Sequence, residues 1–343
     1  MNKIASKVSI LIPAYNCEST IAETLQSAFN QTYSNIEIII LNDCSTDGSY
    51  ELMNELIKGH PNVILKSNNS NQGYLKTFNL LLNMATGDYI TFLDSDDLIS
   101  HDKIEKQVEF LLNNKDYGCC GTGFTRTNGK GNSYEDVVFP MDDCEIKRHL
   151  KLNIEVCFCG SSVMITRDVF ENIGGYREYF IGCPAEDYDW IRRISNRYKC
   201  YNIPECLYYY RFGVNSLTRN ISYDTKAQYA AEIAFYLDEQ RCTNSGEDAL
   251  TNIVLKHDLD LLISDYKRIL FQKPEIILCK RAINEAVNGN WKASIRLVYQ
   301  VFQVKKLAGI KISFVTFILI VLPVDWLLYL KAKFNFKKIL RLN

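Results

Sequence analysis

Three carboxylates stand within one short stretch, Asp94-Ser95-Asp96-Asp97. Carboxylates this close repel one another and raise one another's pKa, and a hard divalent cation removes that cost. Mg²⁺ or Mn²⁺ bound by one or two carboxylates takes its other ligands from water and substrate phosphates. The stretch therefore predicts a metal–diphosphate site, although a solvated acidic turn before a helix explains it equally well when it is taken alone.

A second acidic pair, Glu186 and Asp187, has the chemistry of a general base. A hydroxyl is a poor nucleophile at neutral pH, so a carboxylate within hydrogen-bond reach must take its proton as a new bond forms. Acids are also favoured at the N-terminus of any helix by the helix dipole, which accounts for the same pair without catalysis.

The elements that position these acids are predicted from apolar runs. Residues 8–12, 36–41 and 89–93 are short and rich in β-branched side chains, which is typical of strands buried on both faces of a parallel sheet. Pro13 is expected to end the first run. Helical patterns at 19–29, 49–57 and 75–85 alternate with these strands, and this alternation predicts an α/β fold with a mixed, mostly parallel sheet flanked by helices.

Polar clusters follow all three predicted strands, so they are expected to meet at the carboxyl edge of the sheet, where ligands bind in such folds. Pro13, Ala14 and Tyr15 offer an apolar wall and an aromatic ring to a nucleobase. Asp43 can accept a hydrogen bond from a base N–H. Together with the acids at 94–97, these residues predict a slot for a nucleotide diphosphate.

Four stretches, residues 8–16, 31–49, 87–97 and 185–190, occur in an order and spacing that resemble the family 2 glycosyltransferases, whose catalytic domain has the GT-A fold. The resemblance implies an inverting, metal-dependent enzyme with Mn²⁺ or Mg²⁺ as cofactor. It implies transfer of one sugar from a nucleotide-diphosphate donor, with UDP as the expected nucleotide, to a hydroxyl of a glycan or lipid-linked acceptor in the biosynthesis of cell-surface polysaccharide or lipopolysaccharide.

The resemblance also implies roles for individual residues. Asp187 is the expected base, and Asp96 the expected metal ligand, with Asp94 nearer the ribose and the metal shell. Glu186 is expected to bind the acceptor or the donor sugar, and Trp190 is expected either to stack on a sugar ring or to lie in the core. The residues expected to contact the donor nucleotide are Pro13, Ala14, Tyr15, Asp43, Asp94 and Ser95.

Three departures from the family pattern matter. The Q-x-x-R-W sequence of processive relatives does not follow Glu186 and Asp187, which favours transfer of a single sugar. Phe78 occupies a position where many relatives have an arginine, so Lys76 becomes a candidate for binding the diphosphate. No histidine follows Arg211, which is therefore a candidate either for diphosphate binding or for a structural role.

Composition and local sequence bear on the alternatives. A net charge of −1 gives no reason to expect a nucleic-acid partner. A sugar-phosphate nucleotidylyltransferase would need a glycine-rich basic loop after the first strand, and the sequence Pro-Ala-Tyr-Asn at 13–16 is not one. A non-catalytic nucleotide-sugar-binding scaffold remains an alternative, but it would not need Asp94, Asp96 and Asp187 together.

The sequence predicts three regions: a GT-A catalytic domain at 1–215, a helical region at 216–310, and an apolar and basic membrane-associating segment at 311–343. Residues 312–330 are mostly apolar, but Pro323 and Asp325 would be costly inside a bilayer. An interfacial helix is therefore favoured, with a buried helix as the alternative. The expected location is cytoplasmic, at the inner face of the cell membrane.

Overall fold

A computed structural model describes residues 6–128, 133–153, 156–212, 224–287 and 290–321. The chain divides into two compact units, Met1–Ile181 with Ala185–Phe212 and Gly182–Pro184 with Gly213–Asn343. The first unit contains the sheet, and the elements described in the second are helices. Most of the segment predicted at 311–343, including Pro323 and Asp325, lies outside the described residues.

The described residues of the first unit form a nine-stranded sheet. Its spatial order is β3-β2-β1-β4-β8-β6-β9-β5, and β7 pairs with β6, where the strands are β1 (Val8–Ala14), β2 (Ile36–Asn42), β3 (Val63–Ser67), β4 (Tyr89–Phe92), β5 (Leu98–Ile99), β6 (Tyr117–Asn128), β7 (Ser133–Val137), β8 (Met164–Thr166) and β9 (Lys199–Phe212). The first four strands are parallel, whereas β8 runs antiparallel to both β4 and β6. The predicted α/β fold with a mixed sheet is confirmed.

Helices flank this sheet and form the described elements of the second unit. Those of the first unit are α1 (Ile21–Phe29), α2 (Ser49–Leu56), α3 (Tyr74–Met84), α4 (Lys103–Asn113), α5 (Asp143–Leu152), α6 (Arg167–Ile173) and α7 (Glu186–Ser195). Those of the second are α8 (Thr225–Gln228), α9 (Ala230–Thr243), α10 (Ile253–Gln272), α11 (Glu275–Val287), α12 (Trp291–Val304) and α13 (Lys306–Val321).

The central strand β1 is completely buried, as its apolar sequence predicts. The expectation that Pro13 ends it is wrong, because β1 continues to Ala14 and Pro13 lies opposite Leu41 of β2. Pairing between β1 and β4 stops at Leu11 and Phe92. Successive residues of a strand direct their backbone N–H groups to alternate neighbouring strands. The backbone nitrogen of Pro13 faces β4, whose pairing with β1 has already ended, so no ladder hydrogen bond is lost.

The strand order places the reversal point of the sheet between β1 and β4. The chain runs from β1 outward through β2 to β3 and then returns to place β4 on the other side of β1. In doubly wound sheets the crevice at the carboxyl ends of two such strands is the usual ligand site. Here that crevice lies between Ala14 and the acidic turn that begins at Asp94.

In the second unit, α11, α12 and α13 pack around a small apolar core of Cys279, Ala282, Val301, Ala308 and Ile312. Ser294 of α12 is buried in the same bundle, and its hydroxyl donates to the carbonyl of Ala282 over 2.7 Å. Among the residues that the structure describes, no helix is long and apolar enough to cross a membrane.

The long strand β9 was not predicted from local pattern. Pro204 lies within this strand, and the pairing of β9 with β6 shifts in register between Ile203 and Cys206. A strand with an internal proline and no alternation of apolar and polar residues gives no clear local signal. Its position is fixed by pairing with residues about 80 positions earlier, at Tyr117–Asn128.

Candidate active site

The loop after β1 forms one wall of the crevice. Pro13 and Ala14 are buried, and the ring of Tyr15 is 47% exposed. Asn16 follows with a positive φ of 47°, and its side-chain oxygen accepts from the backbone N–H of Thr46 over 2.8 Å. This bond links the loops after β1 and β2, so the exposed Tyr15 ring lies in a restrained loop at the edge of the sheet.

Asp43, at the end of β2, is buried and already accepts three hydrogen bonds. One oxygen accepts from the Asn68 side chain over 2.7 Å and from the Gln72 backbone over 2.8 Å; the other accepts from the Gly73 backbone over 2.8 Å. A carboxylate has about four acceptor positions, so one remains for a ligand. Asp43 therefore anchors the loop that leads into α3, a role that the sequence did not indicate.

Asp94 lies where β4 ends and is held from two sides. One carboxylate oxygen accepts from the Ser161 hydroxyl over 2.5 Å, and the other accepts from the Tyr74 hydroxyl over 3.3 Å. Burial and the neighbouring charge of Asp96 raise the pKa of Asp94 to about 6. A carboxyl group so perturbed at a cleft is a candidate functional group, and a bound cation would reverse the shift.

Asp96 and Asp97 have different environments. Asp96 is exposed, although surrounding protein still desolvates its carboxyl group and raises its pKa, an effect that the Arg211 charge opposes. Asp97 is buried, accepts from the Tyr208 hydroxyl over 2.8 Å and accepts from the Arg211 backbone over 2.7 Å. Burial raises its pKa well above the ordinary value. Asp96 is therefore available to a ligand, whereas Asp97 joins the acidic turn to β9.

Arg211 is tied to the acidic turn through its backbone N–H, which donates to Asp97 over 2.7 Å. Its guanidinium donates to the exposed carboxylate of Glu23 on α1 over 2.5 Å. The backbone of Arg211 therefore has a structural role at Asp97, and its guanidinium, paired with an exposed carboxylate, is the part that a diphosphate could engage.

Two further candidates lie at the edges of the crevice. Lys76 lies half-buried in the first turn of α3. Ser95 is also half-buried, and its carbonyl accepts from the hydroxyls of Thr20 and Thr24 over 3.0 and 3.1 Å. Thr20 precedes α1, but its hydroxyl makes no capping bond to the helix and instead holds the acidic turn through Ser95.

Glu186 and Asp187 lie in the first turn of α7, where the helix dipole favours acidic side chains. Burial raises the pKa of Asp187, and burial together with the Asp187 charge raises that of Glu186 to about 7. Glu186 accepts from the backbone N–H of Ala185 over 3.0 Å. The pair is therefore poised to hold or release a proton near neutral pH.

The short turn Gly160–Ser162 brings the two acidic sites together. Ser161 donates to Asp94, and a Cβ placed on Gly160 would lie 3.0 Å from a carboxylate oxygen of Asp187. A side chain at position 160 would therefore press on the Asp187 carboxylate. Sequence reasoning missed both residues, because neither belongs to a recognised motif.

A small, largely apolar pocket of about 20 Å³, partly open to solvent, borders Asp187. That volume holds about one water molecule. Its lining includes Leu150, Val156, Phe158, Tyr188 and Ile191. The pocket leaves one side of Asp187 facing an apolar recess, the environment that accounts for the raised pKa of its carboxyl group.

The proposal that Trp190 stacks on a sugar ring is not supported by its position. Trp190 is fully buried, and its indole N–H donates to the carbonyl of Gly174 over 2.8 Å. Its ring meets Phe78, Phe92 and Tyr176 edge to face at 5.4–5.8 Å. Trp190 therefore belongs to the core, and so does Phe78 at the position where relatives have an arginine.

The donor set at the acidic turn suits a hard divalent cation that is only partly coordinated by protein. Within the described ranges, no cluster of three or more His, Cys, Asp or Glu side chains could hold a metal ion. Asp94 and Asp96 nonetheless supply two carboxylates with raised pKa values. Mg²⁺ is typically bound by one or two carboxylates together with substrate phosphates, so the two residues fit such an ion.

Comparison with known proteins agrees with this geometry. Residues 9–174 match the profile described as glycosyl transferase family 2, a range that ends before Glu186 and Asp187. The putative glycosyltransferase EpsE of Bacillus subtilis strain 168 is 32% identical over 62% of this chain and 76% of its own. UDP-Glc:alpha-D-GlcNAc-diphosphoundecaprenol beta-1,3-glucosyltransferase WfaP of Escherichia coli is 33% identical over 62% of this chain and 80% of its own.

A solved structure supports the fold. The crystal structure of S. aureus TarS 1-349 in complex with UDP-GlcNAc superposes with a TM-score of 0.58 at 16% identity, over 87% of this chain and 81% of that one. At this identity the likeness concerns the fold alone. EpsE and WfaP are both similar to this chain over more than three quarters of their own lengths. The chain therefore belongs to glycosyl transferase family 2 and is a glycosyltransferase.

Proposed function

We propose that this glycosyltransferase is an inverting, metal-dependent enzyme that transfers one sugar from a UDP-sugar to a hydroxyl group of a glycan or lipid-linked acceptor. The observation that carries the proposal is the turn Gly160–Ser162, which contacts Asp94 through Ser161 and Asp187 through Gly160. A candidate donor-binding acid and a candidate base are thereby held at one place, although they are far apart in sequence.

In this reaction Asp187 accepts the proton of the acceptor hydroxyl. The acceptor oxygen forms a bond to the anomeric carbon of the sugar while the bond from that carbon to the diphosphate oxygen breaks. The nucleotide diphosphate departs with the electron pair. Because a single displacement attacks the face opposite the leaving group, the anomeric configuration inverts.

The donor would lie along the carboxyl edge of the sheet. We assign the nucleoside to Pro13, Ala14, Tyr15, Asp43 and Ser95, and we assign the diphosphate to Lys76 and Arg211. Asp96, with Asp94 beside it, would hold Mn²⁺ or Mg²⁺. When bound, the ion neutralises charge on the departing diphosphate. The charge of Arg211 lowers the pKa of Asp96, in keeping with a cationic group that could also act on a bound phosphate.

The proposed acceptor rests on a relative. WfaP, as its name states, acts on a sugar linked to diphosphoundecaprenol and uses UDP-Glc. A lipid-linked or glycan acceptor in cell-surface polysaccharide or lipopolysaccharide biosynthesis is therefore proposed for this chain. Such an acceptor would place the enzyme at the cytoplasmic face of the cell membrane, with the segment 311–343 as a proposed attachment.

A donor panel tests the proposal. UDP-, GDP-, CMP- and dTDP-sugars are added to the purified chain with and without Mn²⁺, and thermal stabilisation and slow donor hydrolysis are measured together. We expect stabilisation and hydrolysis with a UDP-sugar only when Mn²⁺ is present. Stabilisation without turnover, even with an acceptor present, would instead support a binding scaffold, and a response to another nucleotide would overturn the assignment to UDP.

Transfer is expected to fall with decreasing pH before the ordinary carboxyl range is reached, because burial raises the pKa of Asp187 and protonation disables the base. The free energy of unfolding should instead increase as the pH drops. The pKa of Glu186 is raised from 4.5 to about 7 in the folded chain, so its contribution to the free energy of unfolding is greatest at low pH and is lost as the pH rises through that interval.

The pH dependence of kcat/KM and of the melting temperature of the donor-free chain measures both effects. Glu186→Gln serves as the control, since it removes the titrating group from the stability curve. If kcat/KM stays constant down to the ordinary carboxyl range near 4.5, the Glu186–Asp187 pair does not control the rate.

A further inference from the structure

The second unit exposes an apolar stripe on α12. Trp291, Ile295 and Tyr299 are spaced four residues apart, so they follow one another along one face of the helix. Their side chains are 38%, 60% and 64% exposed. A neighbouring side of α12, through Ser294 and Val301, packs into the core shared with α11 and α13. The stripe therefore lies beside that core, on the exposed side of the helix.

Charge borders this stripe. Lys292 and Arg296 each follow a stripe residue by one position, so they lie about 100° farther around the helix, along one side of the stripe. Residues 290–321 contain five basic side chains and no acidic one. Lys305 is paired with Glu275 of α11 over 3.0 Å, whereas Lys292 and Arg296 are exposed.

We propose that the face of α12 formed by Trp291, Ile295, Tyr299, Lys292 and Arg296 binds the surface of an anionic lipid bilayer. Tryptophan and tyrosine have an apolar ring and a polar group, and both are enriched at the boundary between lipid and water. A helix with aromatic and aliphatic residues beside lysine and arginine is typical of interfacial helices, which lie in the plane of the membrane. The basic row complements the negative charge of the lipid headgroups.

This surface differs from the segment proposed at 311–343 and does not depend on the donor chemistry. Because the described helices include none that could span a membrane, the proposal concerns contact with the surface only. A second copy of this chain is the other occupant that an exposed apolar stripe could accept. The absence of acidic residues from 290–321 disfavours it, since two such basic faces would repel each other.

Vesicle sedimentation of the full chain tests the proposal. We expect stronger binding to vesicles of phosphatidylcholine with phosphatidylglycerol than to phosphatidylcholine alone. Ile295→Glu with Tyr299→Glu should weaken binding roughly tenfold or more, because two charges replace apolar contacts in the interface. The matched control, Ile64→Glu with Val138→Glu, places two charges at exposed apolar positions of the first unit and should bind like the unchanged chain.

Tryptophan fluorescence locates the contact. In full-length Trp326→Phe the remaining indoles are Trp190, which is fully buried, and Trp291. Brominated phosphatidylcholine in bound vesicles should quench Trp291, and Trp291→Phe in the same background should abolish the quenching. Absence of quenching would overturn the proposal, as would equal binding by the two double variants. Light scattering that shows oligomers lost in the α12 variant would assign the face to a second copy instead. Donor hydrolysis, measured in parallel, should be the same in both variants and reports on the active site alone.

Discussion

Asp187→Asn is expected to lower the rate of sugar transfer by about 10²–10⁴-fold, the usual contribution of a general base. Asparagine has nearly the same shape and can still accept from the Tyr188 backbone N–H, as Asp187 does over 2.8 Å. It cannot take a proton from the acceptor hydroxyl. The loss should therefore fall on kcat, and stabilisation of the chain by donor and Mn²⁺ should remain close to that of the unchanged protein.

Glu186→Gln is the matched control, because Glu186 is the adjacent acid on the same helical turn. Its carboxylate is bonded to the Ala185 backbone N–H, so the amide should retain most of that contact. We expect a smaller loss of rate for this variant. The rates are measured with saturating donor and an acceptor that supports turnover. A near-normal rate for Asp187→Asn together with a large loss for Glu186→Gln would move the base to Glu186.

Asp96→Asn is expected to weaken metal-dependent donor binding by on the order of 100-fold or more. Even partners of metal ligands change metal affinity about 10–100-fold when mutated, so the loss of a direct carboxylate ligand should reach or exceed that range. Asp96 is exposed, and the bonds that hold the acidic turn to β9 are made by its neighbour Asp97. The folded chain should therefore remain intact, and a Mn²⁺ titration of donor-induced thermal stabilisation measures the change.

Asp97→Asn provides the contrast one residue away. Its carboxylate accepts from both Tyr208 and Arg211, and the amide group of asparagine offers only one oxygen for these donors. We expect a lower melting temperature with little change in the Mn²⁺ midpoint of the remaining folded protein. The reverse result, with metal dependence lost in Asp97→Asn and retained in Asp96→Asn, would make Asp97 the ligand and Asp96 a solvated side chain.

Local sequence was sufficient to predict the central strands and the edge of the sheet at which the candidate residues lie. The buried runs that became β1, β2 and β4 are recognisable because their side chains are apolar on both faces. Parallel strands end on the same side of the sheet, so the positions of Tyr15, Asp43 and Asp94 at one edge followed from the chain order alone. The family resemblance added the expected roles, which local pattern does not contain.

Tertiary structure alone decided how similar residues differ in environment. Asp96 and Asp97 are indistinguishable in a local window, yet Asp97 is buried by contacts with Tyr208 and Arg211, which lie 111 and 114 residues later. Trp190 is likewise enclosed by rings from distant elements, including Phe78 and Phe92. Periodicity reports which face of an element is apolar, but the partner of each side chain depends on contacts between distant parts of the chain, and these form only when the sheet and its helices pack together.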